Sequence, residues 1–440
     1  MRRSLFLAAA LVLPASLAAQ TPAPVRLTFG DAVSRAAGTA PAVRLAALRV
    51  DSASARVRET RATLLPNLSL GGSWVNRTFN SQTFGFKFPG PVVIPQLIGP
   101  FNVYDARFTV RQTLFDFSAY SRVKAAQSGT EAVAAAGTVT SETAAEAAAL
   151  AYVRALRAEA TVSARRADSA LAVELVGLAK AQNKAGVSAA IDVTRAQTQL
   201  VSAEGGLIVA RNQADRGRMD LARALGLPAS TPIELADTLG SAIGQAEVPA
   251  TEDSAVAVAL SRRPDLAATT AAGEAARRVR SSFSAQRLPS VGLEADYGSS
   301  GITVPGSIPT RQIALEVSLP ILDGFRREGE IAEADVAVRS SAVRAEDLRQ
   351  QIAADVAGAF LDLRSAEAQV AIAAERLQLA ADELSEARQR FTAGVAGNIE
   401  VIDAQSSLIQ ARDAVIDARA SVLLARVTLA RAVGVARTLH

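Results

Sequence analysis

The sequence predicts a mainly helical protein that also supplies four strands to a membrane β-barrel. Three observations carry this. Apolar and alanine residues recur every seven positions through five or six heptads. Four short segments switch instead to a period of two. The whole pattern occurs twice within 440 residues.

The duplication is visible in short motifs. Leu65-Pro66-Asn67-Leu68-Ser69-Leu70 returns as Leu288-Pro289-Ser290-Val291-Gly292-Leu293. Leu114-Phe115-Asp116 returns as Ile321-Leu322-Asp323, Ala185-Gly186-Val187 as Ala393-Gly394-Val395, and Ile191-Asp192-Val193 as Ile399-Glu400-Val401. The offset falls from 223 to 207 or 208 between the first and later motifs, which places a longer loop in the first copy between about Val75 and Tyr104. Repeats of this size point to stacked copies of one structural unit. The first copy is expected over 26–227, with strands at 64–76 and 103–115, a long helix at 118–184 and a return helix at 189–226. The second is expected over 252–436, with strands at 288–298 and 311–320, a long helix at 325–392 and a return helix at 398–434. Each copy opens with a helix, and a Pro- and Gly-containing linker, 228–251, joins the two.

The heptads are regular. Val356, Leu363, Val370, Leu377, Leu384 and Phe391 form one row, with Ile352, Ala359, Ala366, Ala373, Ala380 and Ala387 between them. Spacings alternating four and three make a coiled-coil seam. The return helix carries Val401, Leu408, Val415, Val422 and Leu429 beside Ala404, Ala411, Ala418, Ala425 and Ala432. The first copy matches the small row with Ala196, Ala203, Ala210, Gly217 and Ala224. Small residues allow close approach of helix backbones. Each long helix has about 67 residues, so it spans on the order of 100 Å. A tube or a spacer uses such a rod; an ordinary globular domain does not.

The alternating segments are short. Leu68, Leu70, Gly72 and Trp74 alternate with Ser69, Gly71 and Ser73, and the other three segments behave likewise. Alternation over about ten residues is the outer-membrane strand pattern. A two-layer sheet with one wet face gives the same pattern and remains open at this level. If the strands do span a membrane, four of them leave two open edges, which lipid does not tolerate. Several chains must then share one barrel. On that reading Asp105, Arg107, Arg111, Glu294, Asp296 and Glu316 line its lumen, and Trp74, Tyr104 and Tyr297 form an aromatic girdle.

Composition narrows the chemistry. There is no cysteine, and the single histidine is His440. Disulfide frameworks, Cys/His zinc sites, thiol nucleophiles and Ser-His-Asp triads are therefore excluded together. A hydrolase using carboxylates alone is the remaining enzymatic class, and no motif favours it. No metal or other cofactor is expected. Lys and Arg total 47 against 43 acidic residues, interspersed without a basic patch, so nucleic acid is not an expected partner. Arg2 and Arg3, an apolar stretch from Leu5 to Leu13, Pro14 and the small residues that follow read as a cleaved export signal over 1–19.

In their order and duplication these motifs resemble the TolC family of outer-membrane efflux channels, across essentially the whole mature chain. The resemblance implies a homotrimer whose chains close one twelve-stranded barrel in outer-membrane lipid. Their helices would form an α-helical barrel across the periplasm. The tips, Ala185, Gly186, Val187 and Ala393, Gly394, Val395, would meet a periplasmic adaptor and an inner-membrane transporter. Cargo would be small molecules or, in type I secretion, proteins. Asp192, Glu400 and Asp403, just beyond the tips, would narrow the periplasmic mouth. A periplasmic coiled-coil adaptor is the competing class, disfavoured because two hairpins occur in tandem with strands before each long helix.

Overall fold

The computed structural model describes residues 24–85 and 95–440. The proposed export signal, 1–19, lies outside the described residues. The chain runs β1 (Val25–Leu27), α1 (Phe29–Thr39), α2 (Pro41–Ala62), β2 (Asn67–Asn80), β3 (Leu97–Asp116), α3 (Phe117–Lys184) and α4 (Ala190–Ala224). It then repeats the order through β4 (Ile233–Leu235), α5 (Glu252–Arg262), α6 (Pro264–Ala285), β5 (Ser290–Gly301), β6 (Ile308–Ser318), α7 (Arg326–Thr392) and α8 (Asn398–Val433). Each opening helix is split in two at a proline, Pro41 or Pro264, which sits at the first position of the second piece. Proline lacks the N–H and disfavours a helical residue before it, so the break falls there.

The long helices pair as coiled hairpins, α3 with α4 and α7 with α8. The heptad rows face inward: Val401, Leu408, Val415, Val422 and Leu429 are buried, as are Ala404, Ala411, Ala418, Ala425 and Ala432. Small residues bring the backbones together. A Cβ on Gly217 would sit 3.4 Å from Ala155 Cα. The thickest core lies midway along the molecule, where Phe29, Val33, Tyr152, Leu156, Leu221, Ile352 and Val356 pack together. There β1 and β4 form a short parallel pair that the sequence pattern did not announce. Tyr152 ties it to α3. Its hydroxyl lies 2.9 Å from Leu27 O and 2.8 Å from Asp237 Oδ2, and Asp237 also accepts from the Phe29 N–H.

At one end of the rods the other four strands form a single antiparallel sheet in the order β2-β3-β5-β6, leaving β2 and β6 as its edges. β2 and β3 run on beyond the alternating segments, towards the long first hairpin.

Candidate functional site

The sheet separates its chemistry by face. Register places Leu70 opposite Phe108, Phe108 opposite Tyr297, and Trp74 opposite Tyr104. Leu293 meets Leu315, and Ala295 meets Ile313. This face is apolar and uncovered: Leu68, Leu70, Trp74, Ile313, Leu315 and Val317 are each 62% to 77% exposed. The other face gathers all six charged residues expected to line a lumen. Arg107 reaches Asp105 on its own strand, and its Nη1 lies 2.8 Å from Asp296 Oδ1 on β5. Arg111 pairs with Glu294 at 3.2 Å. Glu316 lies on the same face, opposite Gly292, and is exposed.

The turn from sheet to long helix uses the repeated aspartate in two ways. Asp116 caps α3, accepting from the Ser118 and Ala119 N–H groups at 2.8 and 3.0 Å, which satisfies donors a helix start leaves free. Asp323 instead holds the buried Arg327 at 2.8 Å, and that guanidinium also donates to Pro320 O at 3.1 Å. The clamp spans Phe325, which takes the left-handed conformation at φ 66°. Arg327 was not among the residues the sequence singled out, because nothing in its spacing marks it.

The opposite end holds the tips. Both long helices stop in the same motif. The Val187 N–H donates to Gln182 O and the Gly186 N–H to Asn183 O; the Val395 N–H donates to Arg390 O and the Gly394 N–H to Phe391 O. Such a stop needs a left-handed residue, supplied by Gly186 (φ 75°) and Gly394 (φ 72°). The two tips touch: a Cβ on Gly394 would meet Val187 Cγ1 at 2.9 Å. Gln182 Nε2 donates to Thr392 O at 3.3 Å, and the buried Asn398 donates to Asp192 O at 2.9 Å.

The three acids beyond the tips are not alike. Asp192 is buried and turns its carboxylate back to the Ala189 N–H, 3.3 Å away. Glu400 is half-exposed and pairs with Arg390 at 3.2 Å. Asp403 is exposed and has no ion pair among the described residues. Glu400 and Asp403, three residues apart, share one side of the start of α8.

A polar row along α8 went unnoticed in the sequence although its spacing was there to see. Asn398, Gln405 and Arg412 recur every seven residues. Asn398 reaches α4 as above, Gln405 is buried, and Arg412 Nη1 lies 2.5 Å from Asp168 on α3. Asp168 is itself buried and takes Arg165 Nη1 at 2.7 Å; Arg165 also pairs with Asp413. Burial works against the Arg165 charge, but the carboxylates of Asp413 and Asp168 outweigh it and raise its pKa. The α3–α8 joint thus adds these ion pairs to apolar contacts such as Leu175 with Val401 and Leu408.

The chain thus carries an open-edged sheet at one end of its rods and two glycine-stopped tips at the other. The model of the outer membrane efflux protein family matches residues 32–227 and 255–435. The chain belongs to the outer membrane efflux protein family. Solved structures share its fold. The outer-membrane protein VceC of Vibrio cholerae is 20% identical with a TM-score of 0.75, covering 92% of this chain and 96% of its own. CusC is 19% identical with a TM-score of 0.77, covering 92% of each chain. The MtrE outer membrane channel of Neisseria gonorrhoeae is 19% identical with a TM-score of 0.73, covering 92% of this chain and 88% of its own. No curated protein matches the sequence. Family membership makes this an outer-membrane efflux channel protein rather than a periplasmic adaptor. Of these structural relatives, MtrE is an outer membrane channel and the CusC structures describe transmembrane channel formation.

Proposed function

We propose that three copies of this chain close one twelve-stranded barrel in the outer membrane and extend a helical duct through the periplasm, exported there by a cleaved leader over 1–19. The observation that carries this is the four-stranded sheet with two open edges and an uncovered apolar face. The apolar face is unfavourable in water, and the open edges, with unpaired backbone groups, are not tolerated in lipid. The sheet is antiparallel with an even number of strands, so β6 of one copy and β2 of the next continue the alternation. Barrel closure then places the apolar face in lipid and the Asp105, Arg107, Arg111, Glu294, Asp296 and Glu316 face in the lumen. Exposed apolar residues on the rods, among them Val201, Ile208, Ile372 and Leu379, supply the seams between copies.

The duct carries small molecules, or proteins in a type I secretion arrangement, driven by an inner-membrane transporter. A periplasmic adaptor meets the tips Ala185, Gly186, Val187, Ala393, Gly394 and Val395. Glu400 and Asp403 face the periplasmic mouth, with Asp192 behind them as a helix-start acid. Deleting the gene and restoring it on a plasmid tests the role. Restored export of a toxic compound by the full chain, and not by a chain lacking β2 and β3, supports a conduit. Export that persists without those strands overturns it.

A further inference from the structure

The apolar face of the sheet carries one charge. Across β2, β3, β5 and β6 its positions are 68, 70, 72, 74 and 76, then 102 to 112, 291 to 299 and 309 to 317, each taken in steps of two. None of these is an acid, and only Arg311 is charged. Arg311 is exposed and makes no hydrogen bond or ion pair among the described residues. The sheet's other described arginines are all engaged: Arg107 and Arg111 with carboxylates on the opposite face, Arg77 over the Phe101 ring. Adding further copies of the chain supplies the same face again, and so no carboxylate. The counter-ion of Arg311 has to come from whatever covers that face.

Its position says what that is. Arg311 is the fourth residue of β6, next to the hairpin joining β5 and β6, while the helices leave from the other ends of the strands. At about 3.3 Å per residue it lies roughly 10 Å along the strand from the hairpin, a distance over which arginine can extend its head towards the interface. Tyr297 is its direct cross-strand neighbour and is also exposed. On β6 the apolar alternation Val317, Leu315, Ile313 stops at Arg311, and an aromatic hydroxyl beside a guanidinium where that run stops fits the headgroup level of a membrane. Guanidinium forks match phosphate geometry.

We propose that Arg311, with Tyr297, binds the phosphate of a phosphorylated glycolipid in the outer leaflet. The proposal rests on the membrane-spanning reading given above. With the helices in the periplasm, the β5–β6 hairpin faces outward, and the outer leaflet is where phosphorylated glycolipid lies.

The test uses the full mature chain in detergent, with retained lipid counted by native mass spectrometry. The probes are diphosphoryl lipid A, its dephosphorylated form, and phosphatidylglycerol. Unmodified protein should retain diphosphoryl lipid A, and Arg311→Gln should retain it about tenfold more weakly, the scale of a lost charge-assisted contact. Arg311→Lys should recover part of the loss, and Glu316→Gln on the opposite face should match the unmodified protein. Equal retention by Arg311→Gln, or equal retention of the dephosphorylated form, overturns the site. Phosphatidylglycerol held as tightly, with the same loss on substitution, overturns the glycolipid assignment. The membrane reading is checked separately with Trp74, the only tryptophan. Brominated lipid should quench it in vesicles. Quenched Trp74 with unaltered lipid A retention sinks the Arg311 proposal alone; unquenched Trp74 sinks the membrane reading.

Discussion

Gly394 and Gly186 hold the same conformation at equivalent tips, yet replacing them with alanine should not have equal effects. At φ 72° and 75° a Cβ costs roughly 1–2 kcal/mol in either place. Gly186 has open space around it, whereas a Cβ on Gly394 falls 2.9 Å from Val187 Cγ1. Relieving that overlap moves the Val187 side chain or separates the tips, at about 1 kcal/mol more. Hydrogen exchange at the amide of Val395, which donates to Arg390 O and so reports the stop of α7, reads the difference in the intact protein. Gly186→Ala should speed exchange at its own tip roughly 5- to 30-fold. Gly394→Ala should speed it at the second tip by about five times more than that. In a Val187→Ala background the extra factor should disappear. Gly394→Val, with a branched side chain, should also impair export without preventing membrane insertion. Equal acceleration at both tips, indifferent to Val187, refutes the steric part of this reasoning. Full export by Gly394→Val at normal expression refutes a role for the tip turn.

Three further outcomes follow from the helical region. Asp168→Asn leaves Arg165 and Arg412 facing each other with one carboxylate fewer, and should destabilise by about 3–5 kcal/mol; a chemical denaturation midpoint unchanged from the parent argues against a tight joint there. Glu400→Ala with Asp403→Ala should raise single-channel conductance and lower cation preference, because crowded carboxylates favour cations, and because Arg390 loses its partner; identical conductance and selectivity place the constriction elsewhere. Burial, with the nearby Asp237 carboxylate, pushes the Tyr152 phenol well above its ordinary value. A raised folded pKa means stability is fully present below about pH 10 and declines as pH rises past it, so the thermal midpoint should fall in that range, and Tyr152→Phe should flatten the fall while lowering stability at neutral pH.

Much of the wall was legible in the sequence because periodicity is a direct record of burial. The rows through Val401 and Ala404 could be read straight from their spacing, and they are the buried faces of α8. The tip glycines were legible because a chain reversal between two long heptad segments needs a left-handed residue. The alternation also placed Asp105, Arg107, Arg111, Glu294, Asp296 and Glu316 on one face, since side chains on a strand change sides at every residue. What stayed hidden depends on contacts distant in sequence. Tyr152 meets Asp237 across 85 residues and Arg412 meets Asp168 across 244, and no local pattern records either. Asp192 shows the limit at a single residue. Spacing makes it the counterpart of Glu400 in the second repeat but does not reveal its partners: Asn398 donates to its backbone carbonyl and its carboxylate accepts from the Ala189 N–H, whereas Glu400 pairs with Arg390.

The closing of one barrel by several copies is tested most directly by the mass of the detergent-extracted, lipid-depleted protein, measured by light scattering with the detergent contribution subtracted. Edges at β2 and β6 that find partners only in neighbouring copies predict a particle of several chains, and the TolC-family resemblance sets the expected number at three. A folded particle of one chain, with both edges open and native helix content, would contradict the shared barrel outright.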